Sequence, residues 1–382
     1  MIYFDNAATS YLKPKSVLDG VMHAIEHGGN AMRGVNAASI KAGMEIFEAR
    51  NTVSNFFNAC DGANVVWTMN ITMSLNTVIK GYFKNGDHVI TTVMEHNSVL
   101  RPIYQIEKNG IEHTIVGLDK NLPKEYGFIN YDDLDKAFKP NTKAVVITNA
   151  SNLTGNIVDI KKVASIAHSH GAIIIVDSAQ TAGALKIDMQ DSNIDVLCFT
   201  GHKGLLGVQG SGGIVLSKDF DIEPLLSGGT GLKTFEKKQP DAYPEHLEAG
   251  TLNRPGILSV YYGIKYINEY GIENILNKER SLNKYFNDEL KKINKVKIYG
   301  LPDSEQRMGI TSISIEGISS GEVSDFLNSN YDIMTRSGGH CAPLLHESMG
   351  TKEAGLTRFS FSHNNTKEEV DIAISAIKTL IK

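Results

Sequence analysis

The chain has 382 residues, 41% hydrophobic and 21% charged, with 35 Gly, 10 Pro and 3 Cys. At about 150 residues per domain this length points to two or three domains, and the apolar share supports a real core, which excludes wholesale disorder. The net charge of −5 offers no electrostatic footprint for nucleic acid or an anionic membrane. No apolar run approaches the ~18 residues that a membrane span needs, and Met1 to Asn6 shows neither a basic nor an apolar leader pattern. Three cysteines cannot staple a chain of this size, and their odd number suggests a reducing compartment. The expectation is a soluble, cytoplasmic, multi-lobed enzyme.

Pro14 opens a helical pattern in which Val17, Leu18, Val21, Met22 and Ile25 share one face, and Gly28-Gly29 ends it. A second helix is predicted over residues 39–57. From residue 65 short β-rich runs alternate with amphipathic helices. The runs are 65–67, 88–91, 111–116, 144–148, 172–176, 195–199 and 213–216, with helical patterns at 72–82, 99–108 and 159–170. This alternation predicts an α/β fold with a mostly parallel, doubly wound sheet. The run 172–176 is apolar on both faces, as a central parallel strand requires. Residues 224–256 lack periodicity. Beyond them the pattern turns α+β: helices over 257–293, strands at 296–299, 309–316 and 355–361, a helix opened by Ser319, and a terminal helix capped by Thr366 with Glu369. The predicted division is a large domain over 15–256 and a small domain over 257–382, with residues 1–14 packing against the small one.

In open α/β sheets ligands bind beyond the carboxyl ends of the strands. There the chain places Thr68 to Thr72, Glu95-His96-Asn97, Asn149 to Asn152, Asp177 with Gln180, and Thr200-Gly-His-Lys203. A helix N-terminus behind Ile71 and Thr72 offers N–H groups and a hydroxyl to a phosphate. His96 can stack on a flat ring, and Asp177 can hold a proton on a pyridine nitrogen. Lys203 can condense with an aldehyde, while Thr200 and His202 close the phosphate cup. Those are the parts pyridoxal 5′-phosphate needs. Singly, each also has a plainer reading: an Asp after a strand is often a cap, a Lys a solvated charge, a His a satisfied polar residue.

Seven segments, in order and over nearly the whole chain, resemble the class V, fold-type I pyridoxal-phosphate enzymes of the cysteine desulfurase and selenocysteine lyase family. They are Phe4 to Ala8, Met94 to Asn97, Ser151 to Gly155, Val176 to Gln180, Thr200 to Lys203, Leu247 to Asn253 and Arg336 to Cys341. The resemblance implies a fold-type I architecture with Lys203 carrying the cofactor, His96 stacking and handling protons, Asp177 at the pyridinium nitrogen and Gln180 at the phenolic oxygen. It implies Asn152, Arg336 and Arg358 near the substrate, with Arg358 on its carboxylate. It further implies Thr72, Thr200 and His202 on the phosphate, joined by Thr251 from the other subunit of a homodimer.

Of the cysteines, Cys198 lies in an apolar strand and Cys60 near a helix end. Cys341 lies in the Gly-rich loop Ser337 to Pro343 with Arg336 and His340 close by, where basic neighbours favour a nucleophilic thiolate. The reaction expected from the resemblance is L-cysteine to L-alanine with sulfur passed to Cys341 as a persulfide, for an acceptor protein in sulfur metabolism and iron–sulfur cluster assembly. L-selenocysteine is the alternative substrate. The short loop resembles the SufS-like subgroup. Three departures from the family pattern blur the substrate: Met32 before Arg33, Gly339 before His340, and Asn70-Ile71 in the phosphate turn. Two rivals stand beside this reading. One is an aminotransferase or β-lyase that does not use Cys341. The other is a zinc peptidase through His23-Ala-Ile-Glu-His27, which puts both imidazoles on one helix face.

Overall fold

Seven strands form the central sheet of the computed structural model, which describes residues 1–31, 34 and 36–382; Met32 lies outside the described residues. In chain order the strands are β1 Ile2–Tyr3, β2 Val65–Thr68, β3 His88–Thr92, β4 Glu112–Val116, β5 Thr142–Thr148, β6 Ile173–Asp177, β7 Val196–Thr200, β8 Gly212–Leu216, β9 Val296–Tyr299, β10 Ile310–Ile315, β11 Ile333–Met334, β12 Arg336–Gly338 and β13 Leu356–Ser360. The helices are α1 Lys15–Glu26, α2 Ala37–Phe56, α3 Ile71–Tyr82, α4 Asn97–Ile106, α5 Tyr131–Lys136, α6 Ile160–Ser169, α7 Arg254–Tyr270, α8 Ile272–Leu290, α9 Ser320–Tyr331, α10 Pro343–Met349 and α11 Lys367–Ile381.

The large sheet has the order β2-β8-β7-β6-β5-β3-β4. All seven of its strands fall where the alternating runs predict them. β4, β3, β5, β6 and β7 are parallel, whereas β8 runs antiparallel to both β7 and β2. The strand order reverses between β3 and β5, so the crevice of an open α/β sheet falls at their carboxyl ends. β5 and β6 consist almost wholly of β-branched and buried residues, Val145, Val146 and Ile147 beside Ile174, Ile175 and Val176, because helices cover both faces. Side-chain caps start the flanking helices: Asn70 accepts the Met73 N–H at 2.9 Å for α3, and Asp159 the Lys162 N–H at 3.0 Å for α6.

The C-terminal part carries the four-stranded antiparallel sheet β12-β13-β10-β9. α9 and α11 both begin on capping boxes, at Ser319 with Glu322 and at Thr366 with Glu369. β1 pairs in parallel with β11, so the N-terminus crosses to this part of the molecule, and Phe4 packs with Phe286, Phe359 and Phe361. Residues 224–253 form neither helix nor strand.

The apolar face predicted for α1 is corrected. The helix buries Val17, Gly20 and Ala24, while Leu18, Met22 and Ile25 are more than half exposed. Small residues win the inner face because α7 lies so close that a Cβ on Gly20 would stand 2.1 Å from the Tyr262 ring. Ile40, Met44 and Phe47 of α2 are likewise exposed. Sequence patterning missed β1, β11 and β12, each three residues or shorter, and the short helices α5 and α10.

Candidate active site

A cavity of about 310 Å³ opens at the carboxyl edge of the large sheet, at the lower end of the range for small-molecule sites. Asp177 ends β6 inside it, with its Oδ1 accepting the Ala179 N–H at 2.9 Å. Burial raises the Asp177 pKa, opposed by the Ala179 N–H and by the charge of Lys203. β7 ends at Thr200, and the following turn presents His202 and Lys203 to the same space. Burial lowers the Lys203 amine to about 8, aided by Arg358 and Arg336 and resisted by Asp177. Gly183 (φ +90°) lets this turn pack tightly: a Cβ there would lie 2.4 Å from the Gly204 carbonyl carbon.

His96 caps α4. Its Nδ1 accepts the Ser98 N–H at 3.0 Å, which leaves the ring proton on Nε2 in the neutral form. Burial, then the charges of Lys203 and the arginines, lower its pKa to about 4. At the N-terminus of α3 the Asn70 side chain takes the Met73 N–H, and the Ile71 and Thr72 amides have no acceptor among the described residues. Those amides, the Thr72 and Thr200 hydroxyls and His202 border the cavity as a cup for an anion. Gln180 also lines it, donating to the Ala7 carbonyl at 3.2 Å.

The opposite wall comes from the C-terminal sheet. Arg336 on β12 and Arg358 on β13 are directly paired across the strands, and both line the cavity. Like charges placed opposite each other destabilise a sheet, so this pairing argues for an anion between or beside them. Arg358 is 1% exposed. Its Nη2 bonds Asp5 Oδ1 at 2.7 Å and its Nη1 the Asn152 carbonyl at 2.9 Å, while its buried Nε has no partner among the described residues. Asn152 in turn donates from Nδ2 to the His340 carbonyl at 2.7 Å.

Cys341 does not line this cavity. It stands in an adjoining, outward-facing one of about 460 Å³, and Arg336 and His340 form the wall between the two. His340 (φ +49°) and Cys341 (φ +55°) both adopt the left-handed region that non-glycine residues rarely occupy. The pair is held there by the Asn152 bond to the His340 carbonyl and by the Asn97 N–H, which reaches the Cys341 carbonyl at 2.8 Å. The expectation that His340 adds positive charge beside the thiol is corrected: burial lowers its pKa to about 3, so the ring is neutral. A Cβ on Gly339 would meet nothing within 4 Å, so packing does not demand glycine there. Thr251 is exposed and outside the cavity lining.

The zinc reading of α1 is also corrected. His23 Nε2 bonds Glu45 at 3.1 Å, Arg254 takes the other Glu45 oxygen, and His27 Nδ1 turns back to the His23 carbonyl. Among the described residues no group of three or more His, Cys, Asp or Glu could hold a metal ion. Sequence reasoning gave no role to Asp5, Thr9 or Ser98. Asp5 and Thr9 act through residues of the cavity that lie 353 and 193 positions away, and Ser98 lines the cavity itself beside His96.

The donor set fits pyridoxal phosphate: an anion cup at a helix N-terminus, a buried carboxylate for a ring nitrogen, an imidazole for a ring face, and a lysine whose amine is partly free near neutral pH. The family model described as aminotransferase class-V matches residues 2–372, and the chain belongs to this family of pyridoxal-phosphate enzymes. Within it, the similarity along the whole chain is to cysteine desulfurases. A probable cysteine desulfurase of Pyrococcus abyssi is 33% identical, over 100% of this chain and 94% of that protein. A cysteine desulfurase of Haloferax volcanii is 30% identical, over 99% and 88%. The apo structure of a cysteine desulfurase from Thermococcus onnurineus NA1 superposes with a TM-score of 0.91 at 33% identity, covering 100% of this chain and 94% of that one. The cysteine desulfurase CsdA from Escherichia coli gives 0.87 at 28% identity, covering 99% and 94%.

Proposed function

We propose that this protein converts L-cysteine to L-alanine with pyridoxal phosphate and passes the sulfur to Cys341 as a persulfide for an acceptor. The observation that carries this reading is the pair of adjoining cavities. One holds Lys203, Asp177, His96 and two arginines, the other holds Cys341, and the two share Arg336 and His340 in their linings. When bound, pyridoxal phosphate supplies an aldehyde that condenses with amines and a ring that accepts the electron pair released at the substrate Cα. Lys203 holds that aldehyde at rest and, once displaced by the substrate amine, carries the Cα proton. Its amine near pKa 8 suits a group that must both accept and return a proton near neutral pH. Asp177 holds a proton on the ring nitrogen, His96 covers a ring face with its Nε2–H turned inward, and the Ile71 and Thr72 amides with Thr200 and His202 take the phosphate.

Arg358 takes the substrate carboxylate from its place in the cavity lining, with its guanidinium anchored by Asp5 and the Asn152 carbonyl. Arg336 adds a second positive charge. Cys341 thiolate attacks the substrate sulfur. The Cβ–S bond breaks, a sulfur–sulfur bond forms on Cys341, and Cβ gains a proton. Two-electron reduction at Cβ matches oxidation of the two sulfurs, so the sum is L-cysteine plus thiol to L-alanine plus persulfide. The short loop supports placing the chain with the SufS-like subgroup, and iron–sulfur cluster assembly is the pathway we assign.

We infer a homodimer in which Thr251 of one subunit completes the phosphate cup of the other. The exposed apolar rows Leu18, Met22, Ile25 on α1 and Ile40, Met44, Phe47 on α2 are surfaces of the kind that mark an interface. We assign residues 15–256 to a large domain and 257–382 to a small one that takes in residues 1–14, a division supported by the β1–β11 pairing. Among the described residues no helix is long and apolar enough to cross a membrane; we propose a cytoplasmic location from the three unpaired cysteines, which suit a reducing compartment. The test is alanine and sulfide production from L-cysteine. Cys341→Ala should abolish both while the cofactor absorbance persists. Undiminished turnover in that variant, or pyruvate and ammonia as products, would sink the assignment.

A further inference from the structure

Residues 5–13 form a strap across the turn that carries His202 and Lys203. The Ser10 N–H donates to the His202 carbonyl at 3.0 Å, and Lys13 Nζ reaches the same oxygen at 3.3 Å. Ser10 Oγ donates to the Lys203 carbonyl at 3.0 Å. Tyr3 anchors the strap by donating from its hydroxyl to the Thr9 carbonyl at 3.2 Å. Thr9 Oγ1 stands 3.1 Å from two atoms of His202, the carbonyl oxygen and ring Nδ1.

A hydroxyl has one proton to give. The His202 carbonyl already has two donors for its two lone pairs, from Ser10 and Lys13, whereas Nδ1 has no other partner among the described residues. The hydroxyl proton therefore serves Nδ1. Buried beside the charges of Lys203 and Lys13, the ring is neutral, with its pKa lowered to about 4. A neutral imidazole that accepts at Nδ1 carries its proton at Nε2. His202 lines the cavity beside Thr200 and the α3 N-terminus, where a donor, and not a lone pair, suits an anion.

We propose that Thr9 is a positioning residue that fixes the tautomer of His202, so that Nε2–H is presented as a donor to the cofactor phosphate. The inference rests on the pyridoxal-phosphate reading above. Without the Thr9 proton the ring can place its hydrogen on Nδ1 and turn a lone pair toward the phosphate. A hydrogen bond to a charged group contributes enough that its loss should weaken phosphate-dependent binding about 10- to 100-fold.

The test compares pyridoxal phosphate with pyridoxal, which keeps the aldehyde and lacks the phosphate, on the full-length protein stripped and reloaded. Thr9→Val should lower the affinity ratio of the two ligands by about tenfold or more, with pyridoxal binding unchanged, and Thr9→Ser should restore it. An equal loss for both ligands would make the strap merely structural and overturn the proposal, as would an unchanged ratio. Independently of any variant's folding, ¹⁵N shifts of histidine-labelled, cofactor-loaded wild type should show His202 protonated at Nε2. A proton on Nδ1 alone refutes the inference. If the wild type binds neither ligand, the cofactor reading itself fails.

Discussion

Replacing Asp5 by Asn removes the only carboxylate that bonds Arg358 among the described residues. The Arg358 side chain is 2% exposed, and the pair is made at 2.7 Å by an Asp5 side chain with 20% of its surface exposed. Opposite charges at about 4 Å interact by about 4 kcal/mol at an effective dielectric constant of about 20. Removing one partner of a buried pair costs roughly 3–5 kcal/mol, because the survivor is left desolvated and uncompensated. The exposure of Asp5 places the expected loss at the lower end, about 3 kcal/mol, measured by urea denaturation of the cofactor-free chain. Arg358→Met removes the buried charge itself, so the double variant should cost less than the sum of the singles by about the same 3 kcal/mol. In the loaded enzyme the KM for L-cysteine should rise in Asp5→Asn, since Asp5 anchors the guanidinium of Arg358, which lines the cavity. A loss below about 1 kcal/mol, or additive singles, would show that Asp5 does not compensate Arg358.

The Lys203 amine reacts with an aldehyde only when deprotonated, so reloading of the stripped protein with pyridoxal phosphate should accelerate as pH rises through about 8 and level off above it. A rate still climbing about tenfold per pH unit at about pH 9 to 10, as an unburied lysine with a pKa of about 10.4 would give, would contradict the burial of that amine. His88, His96 and His202 have pKa values lowered to about 4, and His340 to about 3, against about 6.5 in an unfolded chain. Between these limits the unfolded state binds more protons, so stability is fully present above about pH 6.5 and is lost as pH falls toward 4. Denaturation midpoints at pH 7, 6 and 5 should fall steadily, and midpoints that stay level would refute neutral burial of these rings. The inferred homodimer predicts that Phe47→Glu shifts the protein from dimer toward monomer mass by light scattering without changing its far-ultraviolet spectrum. An unaltered dimer would move the interface elsewhere.

The large sheet was legible from sequence because most of its strands carry a run of apolar or β-branched residues, such as Val145 to Ile147 in β5 and Ile173 to Val176 in β6, even where a strand also holds polar residues, as β4 does at Glu112 and His113. The residues at the carboxyl ends of those runs were legible for a related reason: in a parallel sheet, chain order alone puts strand ends on one edge. Thus Asp177, Thr200, Lys203, His96 and Asn152 could be gathered before any coordinates. What sequence patterning could not supply was contact between segments hundreds of residues apart. The cross-strand opposition of Arg336 and Arg358, the Asp5 clamp and the strap that brings Thr9 to His202 depend on how the small sheet and the N-terminus fold back over the large one. No periodicity encodes that.

Burial also overrode composition. His340 looks basic in the string Arg336 to Cys341, yet desolvation makes it neutral. The stripe on α1 looks like core, yet close packing on α7 admits only small residues and leaves the large ones outside. The sequence by itself determined the strand order of residues along the chain, and with it the chemistry gathered at one sheet edge. Only the tertiary structure decided that the Cys341 thiol faces a second cavity, because two left-handed backbone conformations, held by hydrogen bonds from the distant Asn97 and Asn152, set where that side chain stands.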